Sequence, residues 1–274
     1  MGIPPTIHGE ETVAYLDEES VSRVITTMRD KLGEQLTVDD MARAAMFSKF
    51  HFSRIFQRVT GVSPGRFLSA LRLQEAKQLL VTTSLNVTDI SLKVGYNSVG
   101  TFSSRFTRSV GLSPTTYRRL GGFAPEITVD GRDWDPSEAS GTVIGRIHPS
   151  PAHQPGLVYV GLFPGRIPEG RPIRCTILDR PGPYLLEKVP EGVWYVLSHS
   201  IPGDPDHVGT IQLDELPIPF VGSCGPVTIR RDSVVNSADL RLRPARPIDP
   251  PVLLALLDVR KASRGPFLTG DLAA

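Results

Sequence analysis

Several things are scarce in this chain, and each shortage excludes something. Of 274 residues only two are cysteines, Cys175 and Cys224, too few for a disulfide framework. The expectation is two reduced thiols, with a disulfide between two strands as the alternative. The longest apolar runs are short, Val252–Leu257 among them, against the ~20 residues that span a bilayer. The opening MGIPPTIHGEE has neither a basic segment nor an apolar one, so it does not read as a secretory signal, and a cytoplasmic, membrane-free location is expected. No HExxH, CxxC, Gly-x-Ser-x-Gly or phosphate-binding loop is present. His148, His153, His199 and His207 lack metal-ligand spacing, and Asp204, Asp206, Asp214 and Glu215 read as a solvated loop. The chain is therefore expected not to be an enzyme, and to need no cofactor or metal.

Net charge is also nearly absent: 30 Lys and Arg against 29 Asp and Glu, +1. That balance hides three unlike segments. Residues 1–19 contain five acids and no Lys or Arg; residues 20–120 hold 15 basic and six acidic residues, +9; residues 121–274 are at −3. A basic block of about 100 residues is the footprint of a polyanionic partner. Proline divides the chain at the same place, with only Pro64 and Pro114 in 20–120 and 21 prolines after it. Because proline is expelled from helix interiors, a helical basic domain should precede a strand-and-turn domain. The expected division is an acidic tail at 1–19, a helical domain at 20–120, a linker at 121–140, a β domain at 141–247, and a short apolar helix with a tail at 248–274.

The basic block contains a repeat. Shifted by 50 residues, Ser48–Pro64 falls on Ser98–Pro114 with eight identities in 17 positions: serines 48/98, 53/103 and 63/113, phenylalanines 52/102 and 56/106, Arg58/Arg108, Gly61/Gly111 and Pro64/Pro114. Each copy reads as a short helix, a tight turn and a longer helix, the helix-turn-helix unit. In the first, Thr37 caps Val38–Met46 with Asp40 as capping-box partner, and Ser48 caps Lys49–Val59, which Gly61 ends. In the second, Thr88 caps Asp89–Val94, Gly95 turns the chain, and Ser98 caps Val99–Val110, which Gly111 ends. Ser20 is expected to cap a preceding helix, Val21–Leu32. Between the copies, Ser63 and Pro64 open a helix to about Val81; about 18 residues at ~1.5 Å give roughly 27 Å. Successive major grooves on one face of DNA lie ~34 Å apart, so this strut suits two reading heads one turn apart.

Helical periodicity assigns the faces. Phe52, Ile55, Phe56 and Val59 point inward, leaving Phe50, Ser53, Arg54 and Gln57 outside, with Lys49 at the helix start. An exposed Phe beside an exposed Arg suits major-groove reading, Arg on guanine and Phe against a thymine methyl. In the second copy Phe102, Phe106 and Val110 point inward. The free face is Gly100, Ser103, Ser104 and Thr107 with Val99 at its edge, which predicts close backbone approach and little base specificity. Arg58, Arg105 and Arg108 are phosphate candidates.

Ser63-Pro64-x-x-Phe67-x-x-x-x-Arg72-Leu73-x-x-Ala76-x-x-Leu79-Leu80 resembles the linker helix of the AraC/XylS transcription regulators. Ile90-Ser91-x-x-Val94-Gly95-Tyr96, then Phe102-x-x-x-Phe106 and Gly111-x-Ser113-Pro114-x-x-Tyr117-Arg118, resembles that family's second helix-turn-helix. The resemblance covers about 20–120 and implies a homeodomain-like, double helix-turn-helix domain on double-stranded DNA. It implies a regulator of transcription that reads two successive major grooves. Gly100 and Ser104 stand where the family commonly has longer polar side chains, and the DNA-binding half comes first where most members put it last.

The second half reads as seven strands separated by Pro and Gly turns: Thr142–Ile147, Leu157–Phe163, Ile173–Leu178, Tyr184–Val189, Val193–His199, Val227–Arg230 and Ala238–Leu242. This predicts an all-β antiparallel sandwich. Gly182-Pro183-Tyr184 and Val189-Pro190-x-Gly192-x-Trp194-x-Val196 resemble the carboxypeptidase-regulatory, transthyretin-like sandwiches, which implies a fold and no activity. Asp249-Pro250-Pro251 should open a helix, Val252–Val259, that is apolar all round and therefore buried. RNA polymerase, a small-molecule effector and a second copy of the chain are the further partners such a region could serve. Two other readings remain open at this point: a DNA-rearrangement enzyme targeted by the helix-turn-helix unit, and a carbohydrate- or protein-binding β module.

Overall fold

The computed structural model describes residues 8–124, 140–152, 156–200 and 218–257. Seven helices come first: α1 (His8–Asp30), α2 (Val38–Ala44), α3 (Lys49–Thr60), α4 (Pro64–Thr82), α5 (Val87–Lys93), α6 (Val99–Val110) and α7 (Pro114–Arg119). Strands follow: β1 (Phe123–Ala124), β2 (Ser140–His148), β3 (Val158–Phe163), β4 (Cys175–Leu178), β5 (Pro183–Pro190), β6 (Gly192–Ser200), β7 (Phe220–Ile229), β8 (Val234–Val235), β9 (Leu240–Arg241), β10 (Arg243–Pro244) and β11 (Leu256–Leu257).

Local chemistry sets most helix ends where the sequence places them. Thr37 and Asp40 form the reciprocal capping box of α2, and Ser48 and Ser98 accept from the backbone N–H of His51 and Thr101. Gly61 and Gly111 close α3 and α6 in the left-handed conformation, at φ 78° and 89°. Two starts differ. The cap of α5 is Asn86, whose side chain accepts from the Asp89 N–H at 2.8 Å; Thr88 lies inside the helix. Asn86 stands three residues before Asp89, the spacing a cap needs. Ser20 is likewise interior, because α1 begins at His8. Much of the acidic segment is thus helical, with Asp17, Glu18 and Glu19 near the middle of α1.

The helical core repeats as the sequence does. Phe52 packs on Phe56 and Phe56 on Phe67, with ring centroids 5.5 and 5.4 Å apart. Fifty residues on, Phe102 packs on Phe106 and Phe106 on Tyr117 at 5.6 and 5.6 Å. The repeat therefore runs past Pro64/Pro114 to a third aromatic pair, Phe67/Tyr117. Two arginines of the linker and terminal motifs bind helix ends. Arg72 donates to the carbonyls of Leu32 and Glu34 just past α1, and Arg118 to those of Leu80 in the last turn of α4 and Leu85 just past it, placing cations at the negative ends of both helices. At Gly95, φ 83°, a Cβ would run into the Leu32 carbonyl and the Arg72 guanidinium.

The β-rich region holds a five-stranded sheet, order β10-β7-β6-β3-β4, and a second sheet, order β5-β2-β8 with β9 also on β2. A common core of Val143, Ile147, Val160, Leu162, Leu186 and Val196 lies between them. The pairing is not wholly antiparallel: β8 and β9 run parallel to β2, and β1 parallel to β11. Trp194 turns to this core and donates to the Pro190 carbonyl at 2.9 Å, while Tyr195 lies on the outer face under Arg166. Both thiols are free.

The segment expected to be a helix at Val252–Val259 is extended over its described part. It must be buried, as its composition demands, but it is held by backbone pairing. Ala255 N donates to Val110 O, Leu253 N to Pro168 O, and Leu256–Leu257 pairs with Phe123–Ala124. Prolines 250 and 251 hold Asp249 and Pro250 themselves out of the helical region, but a proline can open a helix, so the pairing and not local propensity keeps the segment extended. Leu253 and Ala255, with Ile167 and Ile248, complete the core of the helical half. Arg66 pairs with Glu169 at 2.9 Å, and Ser109 Oγ donates to the same carboxylate at 2.8 Å. Most of the linker, His153, the acids and His207 of 201–217, and the tail from 258 lie outside the described residues.

Candidate nucleic-acid interface

The reading face expected on α3 is open. Phe52, Ile55 and Phe56 are buried, which turns Lys49, Phe50, Arg54 and Gln57 to solvent with Ser53 half-buried between them. Phe50 is 82% exposed, an unusual cost for a phenyl ring. Met46, 84% exposed, stands beside this helix start in the α2–α3 turn at φ 58°. Sequence reasoning placed Met46 inside a helix and missed it; a helix cut short at Ala44 would have revealed it.

The electrostatics separate the cations of this face. Lys49 Nζ lies 2.8 Å from Asp39, an exposed pair, and Arg58 is paired with the largely buried Asp17. Among the described residues Arg54 has no hydrogen bond or ion pair, so its guanidinium is free. Ser53 Oγ donates to the Lys49 carbonyl at 2.8 Å. Among the described residues Arg54 is thus the uncommitted cation of the α3 face, and the exposed Gln57 amide beside it is likewise without a hydrogen bond.

The face of α6 is built the same way and furnished differently. Phe102, Phe106, Ser109 and Val110 are buried. Val99, Gly100, Ser104 and Thr107 are exposed and Ser103 half-buried. Thr107 Oγ1 donates back to the Ser103 carbonyl at 2.7 Å. Nothing lies within 3.7 Å of where a Gly100 Cβ would be, so the glycine is not demanded by packing. Arg105 is half-buried and Arg108 exposed, and among the described residues neither has an acidic partner.

The two faces are separated by α4, whose 19 residues give about 28 Å at ~1.5 Å per residue. Among the described residues no three His, Cys, Asp or Glu side chains come together as a metal site, and no helix is long and apolar enough to cross a membrane.

A family described as a helix-turn-helix domain matches residues 41–120. The chain is 34% identical over 98 residues to the HTH-type transcriptional activator AarP of Providencia stuartii, covering 36% of this chain and 73% of that protein. It is 31% identical over 100 residues to the lactose operon transcription activator of Staphylococcus xylosus, spanning 36% of either length. Among solved structures, an AraC-type transcriptional regulator of Chromobacterium violaceum matches at 28% identity over 38% of this chain and 93% of that one, with a TM-score of 0.37. With the repeat, its capped helices and the arginine-pinned strut in place, the domain match and the likeness to AarP decide the matter: the chain belongs to the AraC/XylS family of helix-turn-helix transcriptional regulators.

Proposed function

We propose that this protein is a sequence-specific, double-stranded-DNA-binding regulator of transcription acting in the cytoplasm, and not an enzyme. The observation that carries the reading is the pair of repeat-related open faces on α3 and α6, joined by α4, itself about 28 Å long. Residues 20–120 are the DNA-binding domain in this reading. Arg54 and Phe50 read bases in one major groove, helped by Lys49, Ser53 and Gln57. Val99, Gly100, Ser103 and Ser104 lie against the next groove and contribute fit more than base choice. Arg105 and Arg108 hold phosphates, and Arg58 does so by exchanging Asp17 for DNA.

Residues 141–247 form a carboxypeptidase-regulatory, transthyretin-like sandwich in this proposal, joined by the 121–140 linker. Its role is regulation, through a small-molecule effector, a second copy or RNA polymerase. The Glu169 contacts to Arg66 and Ser109 support that role, because they tie the β-rich region to the strut and to the end of the second reading helix.

Footprinting with the full chain tests the proposal. Two protected major grooves on one DNA face are expected, with affinity that depends on sequence. One protected groove, or binding indifferent to sequence, would overturn it.

A further inference from the structure

A cavity of about 530 Å³ lies between the strut and the five-stranded sheet, a size suited to a small organic ligand. One wall is Gln74, Lys77 and Gln78 of α4; the other is His199 of β6 and Val221 of β7, register partners on the sheet's outer face. Apolar atoms dominate the lining, and two nitrogen groups break it, the ammonium of half-buried Lys77 and the imidazole of buried His199. Lys77 Nζ donates to the carbonyls of Val252 and Leu254 at 3.1 and 3.2 Å, which leaves its third N–H over. His199, 5% exposed, stacks on Tyr159 with centroids 4.8 Å apart, and among the described residues its Nε2 has no hydrogen-bond partner. A buried orphan nitrogen costs stability unless something occupies it.

The charges around this pair do not balance it. Among the described residues Lys77 forms no ion pair. Asp249 also lines the cavity, but both its oxygens are taken by Arg243 at 2.6 and 2.6 Å. Arg29 adds a second cation, an exposed one, with Glu75 as its nearby acid. Arg246 reaches Glu18 at 3.2 Å, and the Tyr117 ring lies under Lys77 at 5.9 Å. Burial pulls the Lys77 ammonium down to about 7 and, with Lys77 nearby, the His199 imidazolium down to about 3. His199 is thus neutral near pH 7, with one nitrogen able to donate and one to accept. A neighbouring, more polar cavity beside α3 is rich in arginine, but Arg58, Arg243 and Arg246 there already face Asp17, Asp249 and Glu18.

We propose that the cavity is an effector site for a small amphipathic carboxylate, its anion at Lys77 and His199 and its apolar body along Val221, Pro219 and Pro251. The ligand then bridges the strut that spaces the two reading helices and the sheet that packs on it. This rests on the regulator reading and gives the β-rich region its ligand class.

The test is calorimetric titration of the full chain with 3-phenylpropanoate, 3-phenylpropanamide and 3-phenylpropylamine as probes. The carboxylate should bind saturably and the amide and amine at least ~10-fold more weakly. Its affinity should rise as pH falls from about 8.5 to about 6.5, because Lys77 is charged below about 7 and an anion favours the charged form. Lys77→Met should weaken carboxylate binding by ~10-fold or more and abolish the pH dependence. Val221→Phe, which keeps Lys77 and narrows the cavity, should weaken all binding. Equal affinity for the amide, an unchanged Val221→Phe variant, or no saturable carboxylate binding up to ~10 mM overturns the proposal. DNA binding by the same preparations reads the other claim separately. A chain that binds DNA and no carboxylate refutes the cavity alone, and one that binds carboxylate but no DNA refutes the regulator reading alone.

Discussion

In the first copy of the repeat the buried ladder runs Phe52, Phe56, Phe67; in the second it runs Phe102, Phe106, Tyr117, with ring spacings alike to within 0.2 Å. Outside, the copies part. One offers Phe50 and an unpaired Arg54, the other Gly100 and Ser104. Duplication has kept what close packing constrains, since a core at crystal-like density tolerates little change. It has released what only a partner would constrain. In the proposed reading the two heads are one scaffold given two jobs, a base reader and a close-fitting clamp.

Four measurements would break or sharpen that contrast. The largest effect should be symmetric: Phe52→Ala and Phe102→Ala should each cost ~3–5 kcal/mol of stability in denaturant unfolding. A gap of several kcal/mol between them would show that the two cores are not equivalent. Next comes the asymmetry in DNA affinity. Arg54→Ala should cost ~1–3 kcal/mol and relax preference at one base pair, while Ser104→Ala should cost less than ~0.5 kcal/mol. Comparable losses, measured by titration against single-base variants of a selected site, would erase the distinction. Third, Gly100→Ala should stabilise the fold by ~0.5–1 kcal/mol, since its Cβ would meet Ser98 Oγ no closer than 3.7 Å, an ordinary contact. It should also weaken DNA binding, because the clamp needs the backbone close. Unchanged binding would mean that α6 stands off the groove. The smallest effect is at Lys49. Asp39→Ala removes an exposed partner and should tighten DNA binding by only a few tenths of a kcal/mol, with a steeper salt dependence.

Much of the helical half was legible because its signals are local. A serine that caps, a proline at a helix start and a glycine in the left-handed conformation act within four residues, so Ser48, Ser98, Pro64, Gly61 and Gly111 fall where the sequence places them. The misses follow from the same chemistry. Asn86 and Thr88 both precede Asp89, and only Asn86 has the spacing to reach its N–H. The acids from Glu10 onward resembled a tail because no Lys or Arg stands among them in sequence, yet Asp17 and Glu18 find Arg58 and Arg246 from far along the chain. Non-local effects were invisible. Val252–Leu257 is apolar because it threads between two halves, and composition alone cannot tell a buried extended segment from a buried helix. The free state of Arg54 against the paired state of Arg58 depends on Asp17, 41 residues from Arg58 along the chain. The cavity at Lys77 and His199 joins positions 122 residues apart, and neither residue carries a motif.

The core contributed by Ile167, Ile248, Leu253 and Ala255 to the helical half has a thermodynamic consequence. A domain that borrows part of its interior from the rest of its chain cannot melt on its own terms. Heating should give one calorimetric transition. A fragment ending near residue 122 would be left with an uncovered apolar face and should lose stability and solubility together. In such a molecule, free energy gained anywhere along the shared interior, for example from a ligand, is felt as rigidity by the reading heads.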